Sequence, residues 1–436
     1  MKKYEFNVDF PPIVKLVDDV VIPPMYKVRQ HFSTPRIKNP FEKLQEELMD
    51  KKEILESLEG KKVCIALGSR GVNNISTVAA QIVNTVKKYG GNPFIIPAMG
   101  SHGGATPEGQ KNVLEELGIT EEKVGAPIVS NLDVEFLGNT DEGIPVYTSK
   151  DALNSDAVIL VNRVKPHTSF RGDIESGLIK MSVIGLGKQK GADLCHKMGF
   201  YRFAERLKAM AQIVLSRVPV VLGVALLENA YDETADVRVL TAGEFFTVEP
   251  VLLEKAKSWM PKILLDDLDV LVVDELGKDI SGDGMDPNIT GRFASDYAKG
   301  DLKVDRIVVL RLTEKTEGNA NGIGMADITT LKVLEDTDFT KGYINTITAA
   351  LPRTVRLPMV MPDDRSAIKA AIKTANNLDY KGENSRIVRI KNTLHLEYIY
   401  VSEALLEDVK NHPQLEIVKG PISFEFDSNG QLLTWW

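Results

Sequence analysis

Cysteine is nearly missing from this chain, with only Cys64 and Cys195 among 436 residues. Two cysteines cannot build a disulfide framework, and the expected state of both is reduced, which fits the cytoplasm. Long apolar runs are missing as well. The longest, Val218 to Leu227, is well short of the roughly 20 residues that cross a bilayer and reads as a buried strand. The opening MKKYEFNVDF has two lysines but no apolar stretch behind them, because Glu5, Asn7 and Asp9 interrupt it, so no secretory leader is expected. Basic side chains are outnumbered, 53 against 61 acidic, for a net charge of −8. That balance repels phosphate backbones and anionic lipid, and argues against a nucleic-acid or membrane partner. The sequence has no internal repeat or low-complexity tract, and no H-x-x-x-H or C-x-x-C pair that would mark an ordinary zinc site.

What is present is ordinary globular usage, with 43% apolar and 26% charged residues, in a chain long enough for two domains. From Lys61 onward strand, turn and helix alternate. Val63–Leu67 reads as a strand, with the loop Gly68-Ser-Arg-Gly-Val-Asn-Asn74 behind it and a helix over Ile75–Tyr89 stopped by Gly90-Gly91. Pro93–Pro97 is the next strand. Its loop, Met99-Gly-Ser-His-Gly-Gly104, leads to a helix with Thr106 as cap and Pro107 in its first position. Ala157–Asn162 runs into Arg163-Val-Lys-Pro-His167. A second block starts near Asp266, with strands at Leu268–Asp274 and Arg306–Leu312, a helix capped by Pro362-Asp-Asp-Arg-Ser366, and a hairpin turn at Asp427-Ser-Asn-Gly430. The expected fold class is α/β: two α/β domains with mainly parallel sheets and the active site in the cleft between them. The boundary falls within 255–267, giving an N-terminal domain over 1–262 and a C-terminal domain over 263–436.

Three loops beyond strand ends carry chemically useful side chains: Arg70, His102 and His167. In open α/β sheets ligands bind at that edge, where helix N-termini and free amides converge. A neutral imidazole can take a hydroxyl proton near pH 7, and a guanidinium can grip a carboxylate. Each histidine alone also reads as a satisfied loop residue. The segment Arg163–Lys197 inverts the charge of the chain, with seven basic residues against Asp173, Glu175 and Asp193. This suits an anionic ligand or, alternatively, a solvated basic face. Within it, Lys180 stands in the apolar stretch Ser176–Gly187, where desolvation would make its amine nucleophilic unless it snorkels to water. His196 follows sixteen residues later beside Cys195, and either side chain could ligate a soft or borderline metal.

The ordered set Gly100-Ser-His102, Lys165-Pro-His167, Lys180 shortly after Gly177, and His196 resembles the lactate racemase family, whose members use a nickel-pincer nucleotide. The resemblance covers most of residues 60–200. It implies that Lys180 is the lysine joined through a thioamide to the pyridinium-derived mononucleotide and that His196 is the protein ligand of nickel. It further implies that His102 and His167 are paired catalytic bases and that Arg70 faces the substrate. The implied activity is racemisation or epimerisation of a small 2-hydroxy acid by hydride removal and return, through a 2-keto acid. The implied partners are that acid and the enzymes that mature the cofactor, and protein made without those enzymes is expected to be apo. The first loop reads Leu67-Gly-Ser-Arg70, where the family carries Asp-x-Thr-Arg. The His167–Lys180 interval is longer than the family's, and in it Arg171 and Glu175 are candidates to reach a polar substrate tail. In the C-terminal domain Lys278 is the substrate-side candidate, with Asp286 and Asn288 in its Gly-rich loop; all three also read as turn residues. Two other classes stay open: a non-catalytic anion- or nucleotide-binding protein, and a zinc hydrolase using His102, His167 and His196. A homo-oligomer is compatible with every reading.

Overall fold

The computed structural model describes residues 6–32, 34–68, 72–379, 381–433 and 436. The chain forms two compact units, one of Ser33–Met260 and the other of Met1–Phe32 with Pro261–Trp436. The expected class, α/β with mainly parallel strands, is the one adopted.

The Ser33–Met260 unit is built on a five-stranded sheet in the order Asn92–Pro97, Lys62–Leu67, Ala157–Arg163, Val220–Glu228 and Thr234–Thr241. The first four strands are parallel and the last is antiparallel to its neighbour. Val63 to Leu67 and Val158 to Val161 are fully buried, as expected of central parallel strands covered on both faces. Each Val, Ile or Leu among them contributes about 1.5–3 kcal/mol of transfer free energy. Helix Ile75–Lys88 buries Ile75, Val78, Ala79, Ile82, Val83 and Val86, a single stripe at helical spacing. Helix Pro107–Glu116 starts where the sequence places it, with the Thr106 hydroxyl accepting the Gly109 amide at 3.0 Å. The apolar run ending at Leu227 is the strand Val220–Glu228, an interior strand of this sheet.

The other unit carries an eight-stranded sheet in the order Met359–Met361, Ile328–Thr330, Val304–Leu312, Leu268–Leu276, Ile387–Ile390, Tyr398–Ser402, Met25–Gln30 and Leu415–Ile422. The first five strands run parallel and the last three join antiparallel. Met25–Gln30 pairs on both sides with C-terminal strands. Residues 6–32, expected in the N-terminal domain, therefore lie in the unit of the C-terminal half; the other boundary falls at 260/261. Inside this unit a fully buried Arg389 grips Asp274, with Nε at 2.9 Å and Nη2 at 2.7 Å, and Trp436 Nε1 adds a third bond to the same carboxylate at 2.7 Å. Three donors on one carboxylate offset the cost of burying the charge.

Candidate active site

The carboxyl ends of the parallel strands in the Ser33–Met260 unit lead into the loops that carry His102 and His167. After Asn92–Pro97 the chain turns through Ala98–Ser101 and delivers an exposed His102. Gln110 Nε2 steadies this turn by donating to the carbonyls of Gly100 at 2.8 Å and His102 at 3.3 Å. Gly100 has φ +60, and a Cβ there would lie 3.3 Å from both Ala192 and Ile184. The lack of a side chain at Gly100 lets the His102 loop pack directly on the segment that bears Lys180 and His196.

That segment is helical with a turn inside it. Leu178–Lys180 is α-helical, Met181–Gly185 is a π turn, and Lys188–Lys197 is α-helical again. A straight helix would hold Lys180 and His196 about 24 Å apart, at 1.5 Å per residue. The chain instead turns at Lys188, which has φ +55. Burial pushes the Cys195 thiol up to about 12, and the Lys180 ammonium opposes that rise. The lysine charge thus acts on the residue next to His196. Lys180 and His196 are both half-buried. At the turn the Lys188 amine is fully buried and donates to the Pro97 carbonyl at 2.6 Å, tying the segment to the strand before the His102 loop. Burial lowers this amine to about 8, with Asp151 and Cys64 opposing.

The start of the segment rests on an acid. Glu249, from helix Phe245–Trp259, is 1% exposed, and its Oε2 accepts the amides of Leu178 at 2.7 Å and Ile179 at 3.1 Å. Its other oxygen has no hydrogen-bond partner. Burial pushes this carboxyl up to about 7, and the two amides pull it back. Gly177 leaves the room: a Cβ there would sit 2.4 Å from Glu249 Oε1. Asn162, at the end of its strand, holds the Gly177 carbonyl at 2.9 Å.

His167 is half-buried and stacks on Phe170, with ring centroids 4.4 Å apart. Phe170 also meets Phe200 and Phe203, and the His167 and Phe200 rings are 6.3 Å apart. Phe200 follows His196 by four residues, so the aromatic cluster links the His167 loop to the end of the segment. The Ser169 amide donates to His167 Nδ1 at 3.0 Å, which places the hydrogen of a neutral ring on Nε2. Arg171 Nη1 donates to the His167 carbonyl at 2.8 Å and lies 3.4 Å from Glu175.

His102, Lys180 and His196 are therefore joined through packed backbone, and His167 is joined to them through Asn162 and the phenylalanines. Arg70 lies outside the described residues. Lys278 belongs to the other unit, after strand Leu268–Leu276; its amide donates to Thr316 at 3.0 Å and its amine to the Gly282 carbonyl. In the same loop Asp286 accepts the Asn288 amide at 2.9 Å, as a turn residue does. Among the described residues no three His, Cys, Asp or Glu side chains group as a metal site, so His102, His167 and His196 do not form a zinc centre. Sequence reasoning missed Glu249, Glu228 and Lys257. Glu249 shares its helix face with buried Phe245, Leu252, Leu253 and Ala256, and an acid on an apolar stripe was the available signal. Glu228 ends the long apolar strand, is 5% exposed, pairs with Arg163 and accepts the Asn73 amide at 2.7 Å.

Residues 23–201 match the family described as the lactate racemase N-terminal domain. That stretch is similar to a lactate racemase N-terminal domain. No curated protein matches the chain. Among solved structures, the lactate racemase apoprotein from Thermoanaerobacterium thermosaccharolyticum is similar, with TM-score 0.53 and 12% identity, over 89% of this chain and 95% of that one. A Thermotoga maritima protein has TM-score 0.52 and 14% identity, over 83% of this chain and 99% of its own. At such identities the likeness is one of fold. No helix among the described residues is long and apolar enough to cross a membrane.

Proposed function

We propose that the chain is an isomerase, a racemase or epimerase of a small 2-hydroxy acid that works with a nickel-pincer nucleotide. The observation that carries this reading is the turn at Lys188 between Lys180 and His196, with the Lys180 charge acting on the neighbouring Cys195, in a stretch similar to a lactate racemase N-terminal domain. The donor set suits the cofactor. Lys180 offers a half-buried amine for a thioamide, and His196 offers a borderline imidazole for nickel. A centre whose other ligands come with the nucleotide needs only one protein ligand, consistent with the lack of an all-protein metal cluster among the described residues. When bound, the nucleotide supplies a hydride acceptor, chemistry that no side chain of this protein provides.

The chain's own residues bind, orient and move a proton. Arg70, Arg171 and Lys278 are the cations proposed to hold the substrate carboxylate or tail. His102 and His167 take the hydroxyl proton as the C–H hydrogen leaves as hydride, and return it when hydride comes back to the opposite face of the planar 2-keto acid. A neutral His167 whose Nδ1 accepts the Ser169 amide presents Nε2–H, so it begins as a donor. To accept a proton at Nε2 it must carry its own hydrogen on Nδ1 and give up that amide.

The test is a panel of single-enantiomer 2-hydroxy acids, each incubated with protein co-produced with cofactor-maturation enzymes and followed by chiral chromatography. Inversion of at least one acid supports the proposal. No inversion across the panel by nickel-loaded protein removes it, and a co-produced protein without absorbance beyond the aromatic region favours a non-catalytic binding module.

A further inference from the structure

Glu175 is 1% exposed, and an acid so deep in a protein needs partners for its charge. Its Oε2 accepts the His167 amide at 2.7 Å, and its Oε1 pairs with the Lys257 amine at 3.0 Å. Arg171 Nη1 stands 3.4 Å from Oε2 and donates to the His167 carbonyl at 2.8 Å. Both polar groups of the His167 main chain are therefore held by side chains, the N–H by Glu175 and the C=O by Arg171. Lys257 comes from helix Phe245–Trp259, the helix whose Glu249 seats the Lys180 segment. Positions 249 and 257 are eight apart and lie on one face, so a single helix supports both reactive segments.

We propose that Glu175 is the positioning residue of His167: with Arg171 it clamps the His167 backbone, and with Lys257 it balances the charge that the imidazole meets. The catalytic use of His167 rests on the racemase reading; the clamp and the charge balance do not. The charged groups on or against this loop include Lys165, Arg171, Asp173 and Glu175 from the loop itself, with Lys165 bridged to Ser176, and Lys208 from helix Phe203–Arg217, which pairs with Asp173. Helix Phe245–Trp259 adds Lys257, which also pairs with Glu254 at 2.9 Å. Neutralising Glu175 removes one negative charge from beside Arg171, Lys257 and the His167 main chain, which disfavours an imidazolium there.

The test titrates the His167 ring by NMR in apo protein carrying ¹⁵N-labelled histidine, with His167→Gln for assignment. Glu175→Gln is expected to lower the His167 midpoint by roughly one pH unit. Lys257→Met, at a side chain 30% exposed, is expected to raise it by about a few tenths of a unit, because screening weakens exposed charges. In loaded enzyme Glu175→Gln is expected to cut kcat by roughly a hundredfold, the scale of a misplaced catalytic group, with KM little changed. If Glu175→Gln does not fold, Lys257→Met and the double variant decide the matter, since the double variant restores the wild-type net charge and is expected to titrate close to wild type. A His167 midpoint unmoved in every folded variant overturns the proposal. Shifted midpoints in a protein that inverts no acid support the clamp and count against the racemase reading instead.

Discussion

The buried carboxyl of Glu249 gives the site a stability signature that can be measured without any cofactor. Its value of about 7 in the fold, against an ordinary 4.5, means that the native state holds a proton through a range where the unfolded chain has lost it. The sign follows from linkage: with more protons bound in the native state, stability falls as pH rises from about 4.5 to about 7 and is level above that. At 1.36 kcal/mol per unit, a rise of about 2.5 units corresponds to about 3 kcal/mol of native-state penalty at pH 8. Glu249→Gln keeps an acceptor for the Leu178 and Ile179 amides but cannot ionise. The variant is therefore expected to gain on wild type as pH rises, by up to about 3 kcal/mol at pH 8. For a unit of this size that is a difference in Tm of roughly 6–12 °C. Scanning calorimetry of the two apo proteins at pH 5, 6, 7 and 8 reads it as the difference between paired curves, which removes the contribution of every other group. A difference in Tm that stays flat over that range would refute the reasoning, because it would mean that Glu249 ionises as an ordinary carboxylate. Glu249→Leu has the opposite expectation. It orphans two buried amides and should lose about 2–5 kcal/mol.

Lys188 makes the converse prediction. Its amine is lowered to about 8, so the native state binds fewer protons than the unfolded chain between about 8 and 10.5, and stability rises through that window. Lys188→Met should abolish this rise in chemical denaturation series at pH 8, 9 and 10, and a rise that persists would show that another group causes it. His102→Ala and His167→Ala should each reduce turnover by at least about a hundredfold, the lower range of general acid–base contributions, while nickel content measured by plasma emission stays at the wild-type level. Full activity in either variant contradicts the paired-histidine scheme. Gly177→Ala should destabilise the Lys180 segment by about 1–3 kcal/mol through overpacking against Glu249, and calorimetry showing no loss would mean that the acid can move aside.

The parts of this protein that were legible in its sequence are those written in short-range pattern. The strands at Val63–Leu67, Pro93–Pro97 and Ala157–Asn162 announce themselves as apolar runs between turn residues, and each is found within a residue or so of its expected ends. Thr106 and Asp363 are local caps and are found capping. Met25–Gln30 is different. Its six residues are too few to reveal a partner, and its neighbours, Tyr398–Ser402 and Leu415–Ile422, are some 370 to 400 residues away, so only the completed sheet reveals which unit it joins. The site divides in the same way. His102, His167, Lys180 and His196 stand out as functional residue types in an order that resembles a family. The groups that aim them do not stand out. Lys188 reads as one lysine of a basic segment, and nothing local shows that it is left-handed, turns the helix and ties it to the Pro97 carbonyl. Glu175 reads as an acid available to a substrate, whereas the fold spends it on the His167 amide and Lys257. Burial and long-range pairing decide these roles, and both are properties of the tertiary structure.

The most direct measurement is intact-peptide mass spectrometry of the fragment containing Lys180, paired with metal analysis, on protein co-produced with cofactor-maturation enzymes. The account predicts a covalent adduct confined to Lys180, with nickel that is retained in wild type and lost in His196→Ala. An unmodified Lys180 together with no bound nickel in such a preparation would contradict it.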